Sequence, residues 1–166
     1  QSAVNDLGVK RIVSSNIEHH CILHTLEAIQ SKHDVEIVLL EANENGQISL
    51  DELEYHLKDG VKALVTIMHA NNEIGSMIEL ERVAEICTAY GAYFHSDIAQ
   101  TYGKYTFDMQ VLNMSFLSAS AHKLYGPKGT GFMYINADIE VQPLLHGGGQ
   151  ERNMRSGTEN VIGITG

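Results

Sequence analysis

Lys123 stands in Ser118-Ala119-Ser120-Ala121-His122-Lys123-Leu124-Tyr125-Gly126-Pro127, where a charge-free run gives way to hydroxyls and an imidazole. Ser115 to Ser120 reads as a buried strand. Gly126-Pro127 and Gly129 punctuate the other side. The amine therefore sits where a strand yields to a turn, the position at which open α/β sheets bind ligands. Burial there lowers an ammonium pKa and frees the amine as a nucleophile for Schiff-base chemistry. A lysine on an exposed loop does neither. Asp97 closes Ala92-Tyr93-Phe94-His95-Ser96, a run that is otherwise apolar or neutral. A carboxylate in a low-dielectric crevice needs a cationic partner, and a protonated ring nitrogen is one; the plain alternative is a turn or helix-cap aspartate. Asn72, Gln100, Ser120 and His122 carry the donors that a phosphate or a phenolate oxygen needs. His19 suits a ring stacked on a cofactor, or simply an exposed residue at a helix start.

The elements that must position these groups can be read from periodicity. Arg11 to Ser15 reads as a strand. His19 to Ser31 reads as a helix with Ile22, Leu26 and Ile29 on one stripe. Val35 to Leu40 is a second strand, and Asn45-Gly46 a turn. Ser49 with Glu52 three residues later forms a capping box that opens a helix through Leu57. Val61 to His69 is apolar enough to be a strand buried on both faces. Ile78 to Tyr90 is an amphipathic helix closed by Gly91. Ala92 to Asp97, Ser115 to Ser120 and Gly131 to Ile135 complete the strands. Alternating strands and helices predict one α/β domain over 1–166, with a mostly parallel sheet flanked by helices. The polar clusters all follow strands: Glu18-His19, Asn71-Asn72-Glu73, Asp97 with Gln100, and Ser120-His122-Lys123. Parallel strands bring them to one edge of the sheet.

Composition excludes several classes of partner. The chain has 166 residues, 19% charged, and a formal net charge of −10, which argues against nucleic acid or an anionic membrane. No apolar run reaches the length of a membrane span, and no secretory signal pattern is present. Cys21 and Cys87 make no disulfide framework and suit a reducing compartment, cytosol or organelle matrix. Both are expected in the core. The chain opens on Gln1 and stops at Thr165-Gly166 as a helical pattern begins, which suggests a piece of a longer protein. Glu41 to Glu52 matches a calcium-loop pattern, but the strand-like segment before it favours a plain strand-turn-helix connection. His20 and His24 lack further ligands for zinc. Gly147-Gly148-Gly149 has neither Walker nor Rossmann flanks.

Four ordered segments, MHANNEIG (68–75), HSDIAQ (95–100), SAHKLYGPKGTG (120–131) and LHGGGQERNMRSGTEN (145–160), resemble the pyridoxal-phosphate-dependent cysteine desulfurases of the class V aminotransferase family. The resemblance is to the branch serving iron–sulfur cluster assembly and nitrogen fixation, and it runs over essentially the whole chain. It implies the large domain of fold type I, a homodimer, pyridoxal 5'-phosphate as cofactor and L-cysteine as substrate, with L-alanine and an enzyme-bound persulfide as products. A scaffold protein would accept the sulfur. It also implies roles. Lys123 is similar to the Schiff-base lysine, which also moves protons. Asp97 is similar to the partner of the pyridine nitrogen, and Gln100 to the donor to the ring hydroxyl oxygen. His19 is similar to the stacking histidine. Ser120 and His122 would hold the phosphate, Thr158 the phosphate of the partner subunit, and Asn72 would lie near the ring and the substrate carboxylate. Ala121, Ile98 and Asn153 depart from the usual pattern without removing a chemical group; at Ala121 a methyl replaces a glycine hydrogen and predicts a slightly altered loop. The upstream phosphate turn, the sulfur-accepting cysteine and the carboxylate-gripping arginine of the family lie outside the chain, and neither Cys21 nor Cys87 matches that acceptor. Their absence leaves a silent scaffold module as an alternative, alongside another lyase or aminotransferase of class V. Residues 1–166 on their own are expected to bind cofactor weakly.

Overall fold

Crossovers long enough to hold a helix separate the first five strands, and those strands run parallel. A computed structural model describes residues 1–166 except the side chain of Gln110. In chain order the elements are α1 (Ser2–Asn5), β1 (Arg11–Ser15), α2 (His20–Gln30), β2 (Glu36–Leu40), α3 (Leu50–Leu57), β3 (Ala63–Thr66), α4 (Leu80–Ala89), β4 (Tyr93–Asp97), α5 (Met109–Leu112), β5 (Phe116–Ser120), β6 (Gly131–Ile135) and α6 (Val161–Thr165). The strands form one sheet in the order β2-β1-β3-β4-β5-β6. Only residues 121–130 connect β5 to β6, short of the roughly dozen residues that a parallel crossover needs. That pair is accordingly antiparallel, with Ser120 opposite Gly131. The sheet is thus mixed and mostly parallel, as expected. A Cβ placed on Gly131 would run into the Ala119 carbonyl oxygen, so a glycine is needed where β6 begins.

Side chains alternate across each strand, so register assigns the two faces. Val13, Val65, Phe94 and Leu117 share one face and pack against Leu53 and Leu57 of α3 and Leu80, Val83 and Cys87 of α4. Ile12 points to the other face, where Leu26 and Ile29 of α2 and Ala3 of α1 cover it. The capping box at α3 is present: Ser49 Oγ accepts the Glu52 amide at 3.2 Å. At the amino end of the sheet, buried Arg11 donates to Glu36 Oε2 at 2.6 Å, to both oxygens of Asp59 at 2.7 and 2.8 Å, and to the His56 carbonyl at 2.6 Å. This fork ties β1 to β2 and to the end of α3, and it was not apparent from sequence.

On the α2 side, a polar ladder crosses three strands. Thr66 Oγ1 lies 2.8 Å from His95 Nδ1, and His95 Nε2 lies 3.1 Å from Ser118 Oγ. Thr66 pairs with His95, and Asp97 with Ser118. Parallel partners point to the same face, so the ladder runs along the sheet directly towards Asp97.

Candidate active site

The order of the sheet creates a topological switch between β1 and β3: the chain leaves β1 towards β2 on one side and later returns as β3 on the other. Such a point opens a crevice at the carboxyl ends of the strands. Glu18 sits in it, 5% exposed. Its Oε1 accepts the Ser15 hydroxyl at 2.8 Å and the Met68 amide at 2.7 Å, while Oε2 is buried without a partner. Burial pushes this carboxyl up to about 7; the Met68 and Ser15 hydrogen bonds pull it down, and the negative charge of Asp97 adds to the rise.

His19 follows and caps α2. Its Nδ1 accepts the Cys21 amide at 3.1 Å, so in the neutral ring the proton is on Nε2. The helix begins one residue later than expected because His19 has extended dihedrals. His19 is exposed on the crevice side of the turn. The first turn of α2 is close enough to Asp97 for that charge to raise the Cys21 thiol, second only to burial. Cys21 itself is exposed, against the expectation of core packing; Ile22, not Cys21, joins the apolar stripe. Cys87 is buried as expected.

Asp97 ends β4, half-buried. Its Oδ1 accepts the Ala99 amide at 2.8 Å, which turns the chain sharply away from the strand. The turn resembles the bland cap considered from sequence, yet it leaves the carboxylate at the crevice. Gln100, two residues on from Ile98, is half-buried, and its carbonyl accepts Lys104 Nζ at 2.9 Å. After β3, Asn71 is the buried structural member of its pair: its side chain donates to the Ile17 carbonyl at 2.6 Å and accepts the Glu73 and Ile74 amides. Asn72 is exposed and donates to Glu73 Oε1 at 2.7 Å. His69, also buried, lies 2.9 Å from Thr101 Oγ1 and pins the loop after Asp97 to the end of β3.

Ser120 closes β5, and a 3₁₀ turn over Ala121–Lys123 follows at once. The turn projects His122 and Lys123 outward, and both are exposed. The expected burial of Lys123 is therefore not met: it closes a 3₁₀ turn on the surface. Among the described residues, no hydrogen bond or ion pair holds its amine. Ala121 keeps a negative φ inside the turn, and its methyl occupies the space left by the missing Cβ of Gly126. Ala121 thus fits without strain. Thr158 lies on a separate exposed loop. There Ser156 donates to the Gly148 carbonyl at 2.7 Å, and Glu151, Arg152 and Asn153 all adopt left-handed φ. Further on, Gly163 approaches Thr130 of the β5–β6 connection.

Asp97 and Ser118 face each other across adjacent strands about 4.8 Å apart. Ser120 and the Lys123 turn lie just beyond Ser118 on the same strand. The strand ends therefore gather a carboxylate, an unpaired amine and a hydroxyl-imidazole pair at one edge, with His19 on the neighbouring turn. These groups match the needs of an aldehyde cofactor with a basic ring nitrogen and a phosphate. One small cavity lies at the carboxyl ends of β1 and β3, lined by Ser15, Met68 and Asn71; a larger one, about 520 Å³, runs along α2 past His20, His24 and Lys32.

The aminotransferase class-V family matches residues 7–166. The chain belongs to the class-V aminotransferase family. A cysteine desulfurase IscS from Clostridium botulinum is 41% identical over 155 residues, covering 93% of this chain and 38% of the relative. A solved NifS-like protein superposes with a TM-score of 0.90 at 38% identity, covering 98% of this chain and 45% of that one. The structure described as SspA in complex with cysteine superposes at 0.88 with 34% identity, over 95% of this chain and 45% of that one. The chain therefore spans about two fifths of the length of these class-V relatives.

Proposed function

We propose that this chain is the cofactor-binding core of a cysteine desulfurase that converts L-cysteine to L-alanine and leaves the sulfur as a persulfide on an enzyme thiol. The observation that supports the reading most is the convergence of Asp97 and the Lys123 turn on adjacent strand ends, within a chain belonging to the class-V family. Pyridoxal 5'-phosphate, when bound, supplies an electron sink next to the substrate carbon. The residues of the chain do the rest. The Asp97 carboxylate would pair with the ring nitrogen and hold the proton on that nitrogen. Gln100 donates to the ring hydroxyl oxygen. His19 stacks on the ring, Asn72 orients the substrate carboxylate, and Ser120 and His122 hold the phosphate. Thr158, on its exposed loop, serves the phosphate of a partner subunit in a homodimer. Lys123 Nζ takes and returns protons at the substrate carbon.

The chemistry balances. The carbon–sulfur bond of cysteine breaks, the enzyme thiolate takes the sulfur as a persulfide, and the carbon gains a proton to give alanine. A scaffold protein for cluster assembly is the proposed acceptor, in the cytosol or, in a eukaryote, the mitochondrial matrix. No described helix is long and apolar enough to cross a membrane. Residues 1–166 by themselves are proposed to be inactive, since the Lys123 amine is exposed. The test is stoichiometric. Full-length enzyme given L-cysteine and a reductant should release alanine and sulfide in equal amounts. Release of pyruvate and ammonia, or no turnover with bound cofactor, would contradict the reading.

A further inference from the structure

The carboxyl of Glu18 has no task in the scheme above, yet it occupies the switch point of the sheet. One oxygen is fully engaged, accepting from Ser15 at the end of β1 and from the backbone of Met68 beyond β3. The other is sealed from water with no donor in reach. An anionic oxygen so placed has neither solvent nor a counter-charge, the most costly state for a buried polar atom. Asp97 is near enough for the two charges to oppose each other. Two adjacent carboxyl groups in unlike surroundings divide their roles, one ionised and one protonated.

We infer that Glu18 is a positioning residue whose carboxyl is neutral, with its proton on Oε2. It clamps the His19 turn to the end of β3 and removes one negative charge from beside Asp97. The ionisable groups around it are Asp97 from β4, Cys21 and His19 from the start of α2, and His69 beside Met68. Among the described residues, none forms an ion pair with Glu18. Burial, the dominant influence on its titration, acts in the same direction. This inference rests on the reading of Asp97 as the partner of a ring nitrogen, but its core can be tested without cofactor.

Glu18→Gln copies the neutral acid, keeping the Oε1 acceptor and filling the Oε2 position. Glu18→Ala leaves the Met68 amide and the Ser15 hydroxyl without an acceptor. In full-length apoprotein near pH 6, infrared difference spectra of wild type against Glu18→Gln should show one protonated carboxylic acid band that the variant lacks. With pyridoxal 5'-phosphate added, Glu18→Gln should keep wild-type affinity and the same pH midpoint of the near-visible absorbance. Glu18→Ala should bind about tenfold more weakly or worse. A carboxylate band instead of the acid band, or Glu18→Gln binding as poorly as Glu18→Ala, overturns the inference. Failure of wild type to bind the cofactor would instead overturn the functional reading, and the infrared band would still decide the state of Glu18.

Discussion

Thr66 Oγ1 lies 2.8 Å from His95 Nδ1, and this contact fixes an imidazole inside the sheet two residues before Asp97. With Ser118 on the other nitrogen, the ring has both positions occupied by hydroxyls, which can donate or accept as the tautomer requires. Burial lowers the pKa of this histidine to about 4. The ring is therefore a neutral strut beneath the candidate site.

His95 and Glu18 impose opposite pH dependences on stability. The folded pKa of His95 is below its ordinary 6.5, so its contribution is present above 6.5 and is lost as pH falls through about 4. The folded pKa of Glu18 is above its ordinary 4.5, so its contribution is present below 4.5 and is lost as pH rises through about 7. His95→Gln should flatten the acid side of the stability curve, and Glu18→Gln the side towards pH 7. Each effect is worth on the order of 3 kcal/mol. Urea unfolding between pH 4 and 8 reads both, and unchanged slopes in the variants would refute the assignments.

The proximity of Asp97 to the first turn of α2 can be checked through Cys21. Burial, then the Asp97 charge, raises the thiol and slows its reaction. In protein free of cofactor, Asp97→Asn should speed alkylation of Cys21 about threefold. Cys87, pushed up to about 12 by burial, should label only on unfolding. An unchanged rate at Cys21 would place Asp97 away from the crevice.

The hairpin that carries Lys123 depends on Gly131. A methyl there meets the Ala119 carbonyl, so Gly131→Ala should separate β6 from β5 and cost about 2 kcal/mol. Limited proteolysis should then cut within 121–130 faster than in wild type. A variant as stable and as resistant as wild type would mean that the strand pairing is looser than described.

At the far end of the sheet, Arg11→Met removes the fork to Asp59 and Glu36 and leaves the His56 carbonyl without its donor. A loss of about 2 kcal/mol is expected. In thermal unfolding this is a fall of roughly 4–8 °C for a domain of this size. Replacement with no change in midpoint would show the fork to be ornamental.

Much of this was legible because burial and periodicity coincide. The β-branched runs became β1 and β2, and the stripe of Ile22, Leu26 and Ile29 became the packed face of α2. The polar strand ends did converge, since parallel strands leave no other geometry. Besides the Arg11 fork and the exposure of Cys21, further features were not legible. Val61 to His69 yielded only Ala63–Thr66 as strand: beyond Thr66 the Ile67 and His69 amides still reach β4, but the Met68 amide turns to Glu18. The exposure of Lys123 follows from a 3₁₀ turn that no local pattern announces. The clamp by Glu18 spans 50 positions to Met68, and such a contact leaves no mark in local periodicity.

The most direct test of the account is to trap the amine that holds the cofactor. Full-length protein loaded with pyridoxal 5'-phosphate, reduced with borohydride and digested, should carry the label on the peptide containing Lys123, and Lys123→Ala should lose both the label and the near-visible absorbance. A label on another lysine, such as Lys104 or Lys128, would contradict it.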